Sequence, residues 1–379
     1  MKIGFDISQT GKLKAGCGYF ADSIIQNLAT IDTANEYVLY RTFGDYYWDD
    51  DFNKTTKIKQ QNFNYGLHHS SNSEAKDFWQ HQIKYIENKL SSPDILHANN
   101  YFCPKNLQHA KLVYTLYDLS YLIYPEWTTE ANRLACFNGV FNASLYADFM
   151  IAISENTKND FLHFFPHYPA DKIKVVYLGS RFSKSEGVKK SKSLKRLQTD
   201  KFWLTVGTIE PRKNQKKLLA AYAKLKAKQQ NSLPLVLAGG KGWMMDDFLQ
   251  YIHKLGLEDD VITLGYVDEN ELHWLYHNCF AMVYPSVFEG FGLPVLEAMS
   301  LGAAVITSNV SSLPEIVDTA GILVDPHQDE ALMQAMLRLS DDDDYRKTLQ
   351  ERALTRAQLF SWDHAAQEVL QVYQQLVGS

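Results

Sequence analysis

The segment Glu289-Gly290-Phe291-Gly292-Leu293-Pro294-Val295-Leu296-Glu297 sets two carboxylates around a pair of glycines. It follows the apolar run Ala281–Tyr284 and opens an amphipathic one, so it reads as a loop turning into a helix. Pro294 suits a first helical turn, where its missing N–H removes nothing. Gly290 and Gly292 let the backbone approach a ligand closely, and the helix start offers N–H groups and a positive dipole end to phosphate. Glu297, about one turn inside, is placed to accept hydrogen bonds from a ribose diol. Glu289, on the loop, reaches a sugar hydroxyl. The plainer reading is a strand–loop–helix turn with two solvated glutamates.

A second segment, Gly207-Thr208-Ile209-Glu210-Pro211-Arg212-Lys213-Asn214, closes the run Phe202–Val206 and precedes another helix. Arg212 offers a bidentate fork and Lys213 a point charge, a combination that neutralises a diphosphate. The ordinary alternative is a pair of solvent-facing cations, but cations oppose the dipole at a helix start and need compensation, which an anion supplies. A third segment, from Lys14 to Ala21 with Gly16 and Gly18, matches G-x-G-x-x-A. The loop between Ile7 and Gly16 is too long for the tight turn of a dinucleotide fingerprint, so NAD is disfavoured, while a phosphate or acceptor remains compatible. In Gly239-Gly240-Lys241-Gly242-Trp243 the loop contacts phosphate or is only a connection; it lacks the spacing of a P-loop. His97, Tyr117, Asp118 and Ser154 sit at strand ends in the first half and are candidates for the acceptor side, with Asp118 able to bind or deprotonate a hydroxyl. Ser154 is fully explained as a helix cap, and His68-His69 as a surface loop.

These segments need strands and helices to aim them. Short apolar runs alternate with amphipathic ones: strands at 2–7, 37–40, 94–97, 112–116, 149–153 and 174–178, with helices at 19–29, 75–90, 129–146 and 156–164. The pattern stops at the lysine-rich stretch 183–201, read as a solvated linker or exposed helix. It resumes with strands at 202–206, 235–238, 261–264, 281–284, 304–307 and 322–324, and helices at 215–228, 246–255, 269–277, 294–301, 330–339, 345–359 and 363–376. This is the signature of parallel α/β sheets. Two such domains are expected, 1–183 and 184–361, with ligand in a cleft between them; Asp341 to Asp344 reads as a solvent-facing helix start.

The composition closes off other classes. With 379 residues, 45% hydrophobic and 22% charged, the chain is an ordinary globular one. A net charge of −6 argues against nucleic acid. The four cysteines form no C-x-x-C pair, so free thiols in a reducing compartment are expected and a structural zinc is not. Asp6 interrupts any leader-like apolar region, and no apolar run reaches the roughly 18 residues of a membrane helix.

Taken together, GTIEPRKN, LAGGKGW, LGYVDENEL, VYPSVFEGFGLPVLEAMSLGAAVITSN and SSLPEIVDTAGILVDP, with the looser YDLSYLIYPEW and IAISENTKNDF, resemble family four of the retaining glycosyltransferases. The resemblance spans nearly the whole chain and implies a GT-B fold of two facing Rossmann-like domains, the last helix, 362–379, crossing back onto the first. It implies that Arg212 and Lys213 hold a donor diphosphate, that Glu297 binds ribose, and that Glu289 with the backbone of Gly290, Phe291, Gly292 and Leu293 contacts sugar and phosphates. Tyr266 and Val267 would lie by the base, Gly207, Gly240 and Lys241 would belong to the donor-binding set, and Gly16 and Gly18 would face phosphates or acceptor. Where the family often carries His, this chain has Tyr117, before Asp118. The implied reaction moves a hexose, from GDP-mannose in the first instance and a UDP-sugar in the second, to a glycan or lipid-linked glycan with α linkage. No metal or other cofactor is expected, since the cations and the helix start stabilise the leaving group. The expected place is the cytoplasm or the inner membrane's cytoplasmic face. The competing readings are a sugar phosphorylase, an epimerase and a catalytically idle nucleotide-sugar-binding protein.

Overall fold

A computed structural model describes the chain except residues 13, 46–50, 82–85, 106, 184–187, 230–231, 241, 243–246 and 379. It divides into two compact units, Met1–Leu178 with Ser361–Ser379, and Gly179–Phe360.

The first unit holds, among the described residues, seven strands: β1 Lys2–Asp6, β2 Glu36–Tyr40, β3 Phe63–Gly66, β4 Ile95–Ala98, β5 Lys111–Leu116, β6 Phe149–Ala152 and β7 Ile173–Val175. Their order is β3-β2-β1-β4-β5-β6-β7, every pair parallel. In the second unit six strands, β8 Trp203–Val206, β9 Leu235–Ala238, β10 Val261–Gly265, β11 Ala281–Tyr284, β12 Val305–Ser308 and β13 Ile322–Val324, run β10-β9-β8-β11-β12-β13, again all parallel. The central strands β4, β6, β8, β9, β11 and β12 are buried along their whole length. That is why they read as unbroken apolar runs: a parallel sheet is covered on both faces by its crossover helices.

Each order reverses once, between β1 and β4 and between β8 and β11. At such a switch point the two loops leave in opposite directions and open a crevice at the carboxyl ends of the strands. The loop that leaves β1 runs into the helix Gly16–Ile31, so Gly16 and Gly18 stand in a helical first turn and not in a loop. The Arg212 segment leaves β8, and the Glu289 segment leaves β11.

The structure departs from the sequence reading in several places. Strand β3 carries one buried residue, Phe63, followed by exposed Asn64 and Tyr65, so it makes no apolar run. The helix expected over 75–90 is instead two, Asn72–Gln80 and Ile86–Lys89, the first ended by His81 in an extended conformation. His69 is no surface residue: it is buried with a ring nitrogen 2.7 Å from the Thr42 hydroxyl. Nor is the lysine-rich stretch a solvated linker over its described part. Leu194 and Leu197 are buried, Lys190 stands over the Trp274 ring, and Asp200 N–H bonds the carbonyl of Asn278 at 2.9 Å. It is strapped along the helix Glu269–Asn278.

The two glycines of that first helical turn differ. A Cβ on Gly18 would sit 2.1 Å from the Gln9 carbonyl oxygen, whereas one on Gly16 would meet nothing within 4 Å. Gly18→Ala is therefore expected to destabilise the first unit by about 1–3 kcal/mol, the range for forcing atoms into filled space. Gly16→Ala is expected to be neutral or slightly stabilising. Thermal unfolding of both variants checks this.

Candidate active site

The residues after β8 turn through the 3-10 helix Pro211–Lys213 into the helix Gln215–Lys228, with Asn214 left-handed at φ 59° as the hinge. That hinge is bonded in place: the Asn214 amide donates to the carbonyls of Pro285 at 3.1 Å and Pro326 at 2.7 Å. Val287 N–H donates to the Arg212 carbonyl at 2.9 Å. The loop after β8 and the loop after β11 are thus stitched together by neutral hydrogen bonds, one from the Asn214 side chain and one through backbone, before any charge is considered.

Between them lies Glu289, 6% exposed. Its Oε1 accepts from Lys213 Nζ at 2.7 Å, Tyr284 OH at 2.9 Å and Ser286 Oγ at 2.6 Å, and its Oε2 from Arg212 Nη1 at 3.0 Å. Lys213 Nζ also donates to Tyr284 OH at 2.6 Å. Arg212 Nε and Nη2 converge on Glu210 Oε1 at 3.2 and 3.0 Å. Arg212 and Lys213 therefore turn inward, and the compensation their position demands comes from two carboxylates of the protein itself. Burial opposes ionisation of Glu289, but the adjacent Arg212 and Lys213 outweigh it and hold the carboxyl down at about 2. Burial, followed by repulsion from Arg212, pulls the Lys213 ammonium below its ordinary value, against the pull of Glu289.

The helix Leu293–Ser300 begins at Gly292, whose φ of +108° favours glycine. Ser311 Oγ accepts from Glu289 N–H at 3.0 Å, and Ser312 Oγ lies 2.9 and 2.7 Å from the carbonyls of Glu289 and Phe291. Inside the helix Glu297 is 1% exposed. Arg181 Nε donates to it at 2.6 Å and Tyr276 OH at 3.2 Å. Burial pushes the Glu297 carboxyl up, and Arg181 and Tyr276 only partly offset it. Neither glutamate is solvated, so the plain-turn reading fails.

The carboxyl ends of β9 and β10 add a glycine-lined edge. Gly239 N–H bonds the Gly265 carbonyl at 2.8 Å, and Ile209 N–H bonds that of Gly240 at 3.1 Å. Gly207 stands at φ +134°, and a Cβ on Gly240 would meet nothing within 4 Å. Tyr266, just beyond β10, is 79% exposed, and Val267 is half-buried. Lys241 lies outside the described residues. Gly207, Gly240, Arg212, Lys213, Glu289, Gly290, Phe291, Gly292 and Leu293 thus all leave the carboxyl ends of adjacent strands of one sheet.

The candidates of the first unit fare differently. His97 is a correction: it is fully buried, one ring nitrogen on Tyr373 OH and the other 2.8 Å from Thr115 Oγ1. Burial pushes it down to about 3. It ties β4 to the last helix, Trp362–Gly378, and meets no acceptor. Ser154 caps the helix Glu155–Phe164 through Thr157 N–H at 3.0 Å and is buried. Tyr117 is buried, its hydroxyl donating to the carbonyls of Asn99 at 2.8 Å and Cys17 at 3.3 Å, so it props the first turn of the helix Gly16–Ile31. Asp118 Oδ1 accepts from Ser120 N–H at 3.0 Å and Oγ at 2.7 Å, a turn cap that stays half-buried.

Sequence reasoning missed the roles of Arg181, Tyr276, Tyr284, Ser286 and Glu210. The last three lie inside segments singled out for other residues. Arg181 and Tyr276 carried no signal in their spacing. Among the described residues no cluster of His, Cys, Asp and Glu is arranged to hold a metal ion, and no helix is long and apolar enough to cross a membrane.

The Glu289 geometry has a pH consequence. Its pKa falls from 4.5 to about 2 on folding, so its ion pairs contribute fully above about pH 4.5 and are lost as pH falls toward 2. In denaturant titrations the stability advantage of the wild type over Glu289→Gln should shrink steadily between about pH 5 and about pH 3.

Comparison with known proteins gives this geometry a family. The profile described as Glycosyl transferases group 1 matches residues 188–356. The O-antigen chain mannosyltransferase B of Escherichia coli is 34% identical over 290 residues, covering 74% of each chain. The serotype-specific mannosyltransferase WbdA of Escherichia coli is 32% identical over 243 residues, 62% of this chain but 29% of that longer one. A crystal structure of HepE from Anabaena in complex with UDP and glucose superposes with a TM-score of 0.71 at 20% identity, over 99% of this chain and 100% of that one. The two parallel α/β sheets are those of the GT-B fold, and the chain belongs to the group 1 glycosyltransferases.

Proposed function

We propose that this glycosyltransferase moves a mannose from GDP-mannose to a hydroxyl of a growing surface glycan or lipid-linked glycan, with retention and an α linkage. The observation that carries the reading is the cluster of Arg212, Lys213 and Glu289 at the β8/β11 switch point, where a nucleoside diphosphate sugar meets its binding groups. The mannosyl donor is supported by the two Escherichia coli relatives, both named mannosyltransferases. UDP-sugars form the second choice, favoured by the UDP held in the HepE structure.

In this reading Arg212 and Lys213 hold the diphosphate and take up charge as the anomeric carbon–oxygen bond breaks. The start of the helix Leu293–Ser300 helps, and no metal is needed. Glu297, oriented by Arg181 and Tyr276, receives the ribose hydroxyls. Glu289 faces the transferred sugar, and exposed Tyr266 offers a face to the base, with Val267 beside it. The departing phosphate oxygen takes the acceptor proton on the same face of the sugar. Gly16, Gly18 and Asp118 serve the acceptor side. The work is placed in the cytoplasm, with peripheral contact at the inner membrane where the acceptor is lipid-linked.

A thermal-shift series tests the donor. A ligand that binds only the folded state raises the melting temperature with its concentration, so GDP-mannose should stabilise more than UDP-glucose. GDP should then be released only when a glycan acceptor is added. Stabilisation by neither nucleotide sugar would overturn the reading. Lys213→Ala and Glu297→Ala should each weaken donor binding in calorimetry by about ten- to a hundredfold, as for loss of a charge-assisted hydrogen bond. Glu289→Ala should instead lower turnover, by about a hundredfold.

A further inference from the structure

We propose that Glu210 and Glu289 form a standing counter-charge that lets the site release free nucleoside diphosphate more readily than it releases nucleoside diphosphate sugar, with Glu210 as the specificity-determining residue. The inference rests on the reading that Arg212 and Lys213 hold the donor diphosphate.

Glu210 is 3% exposed and spends one oxygen on both Nε and Nη2 of Arg212. It opens the turn Pro211–Lys213 but makes no side-chain cap bond, so capping does not account for it. Glu289, also buried, engages the remaining edge of Arg212 and the Lys213 ammonium. The two cations and two carboxylates sum to zero.

That sum matters because the reaction changes the charge of what is bound. The diphosphate of a nucleotide sugar is a diester and carries about two negative charges. When the anomeric carbon–oxygen bond breaks, its electron pair stays on the β-phosphate oxygen. The acceptor oxygen bonds to the anomeric carbon and passes its proton to the departing phosphate oxygen, which loses it to water at neutral pH. The free diphosphate then carries about one further charge, since a terminal phosphate loses its last proton near pH 6. Two uncompensated cations would attract this product more strongly than the donor, and the enzyme would be held by its own by-product. With two buried carboxylates beside them, the added charge gains no net attraction and is repelled by Glu210 and Glu289 at short range in a poorly screened setting.

Calorimetry on the full chain tests this, with GDP against GDP-mannose and UDP against UDP-glucose as probes. Glu210→Gln keeps an acceptor oxygen for Arg212 and removes only the charge. It should tighten binding of the free diphosphate by about tenfold and of the matching sugar nucleotide by about threefold or less. Glu289→Gln, the second variant, should move the ratio the same way. Unchanged or weaker binding of the free diphosphate in Glu210→Gln, or equal tightening of both ligands, overturns the proposal and leaves Glu210 as a positioning residue for Arg212. Lys213→Ala separates the two levels. If it weakens both ligands while Glu210→Gln fails to tighten the free diphosphate, only the counter-charge inference falls. If it leaves both ligands unaffected, the donor-site reading falls with it.

Discussion

The second unit is organised around one buried anion. Glu289 leaves the end of β11 and is met by Lys213 and Arg212 from the end of β8, with Tyr284 and Ser286 completing its shell. The sheet order makes this meeting possible, because β8 and β11 are parallel neighbours whose carboxyl ends lie side by side. Removing one partner of such a buried pair leaves an uncompensated charge, which typically destabilises by about 3–5 kcal/mol. The charge cluster and the neutral hydrogen bonds of the Asn214 side-chain amide and the Val287 N–H therefore fix the same loop geometry by independent means.

Two glutamates on one loop–helix segment have carboxyls shifted in opposite directions. Glu289 is held well below the ordinary carboxylate range by two cations, and Glu297 is raised by burial with one arginine and one phenol beside it. Environments that push paired carboxyls apart are a mark of divided roles. Here one carboxyl sits among the cations and the other, one turn into the helix, is held by Arg181 and Tyr276.

The sheets were legible because fully buried parallel strands carry continuous apolar runs, as in LVLA and AMVY. The segments around Arg212 and Glu289 were legible because strand ends, glycines and charges coincide there. Partners distant in sequence were not. Arg181 reaches Glu297 across 116 positions, and His97 reaches Tyr373 across 276, so His97 looked like a strand-end ligand when it is a core tie. Strand β3 escaped notice because a single buried Phe63 gives no pattern. The stretch around Leu194 and Leu197 was hidden by its lysines, one of which, Lys190, stands over the Trp274 ring. The direction of Arg212 and Lys213 was also beyond the sequence, which showed two cations without showing that Glu210 and Glu289 answer them.

The most direct measurement is a double-mutant cycle between Lys213 and Glu289, using Lys213→Met, Glu289→Gln and the double variant in denaturant unfolding at neutral pH. If the buried ion pair holds the two loops together, the pair couples by about 1.5 kcal/mol or more, and the double variant is less damaged than the sum of the single ones. Additivity within about 0.5 kcal/mol would show that the two side chains do not depend on one another, and would contradict the account.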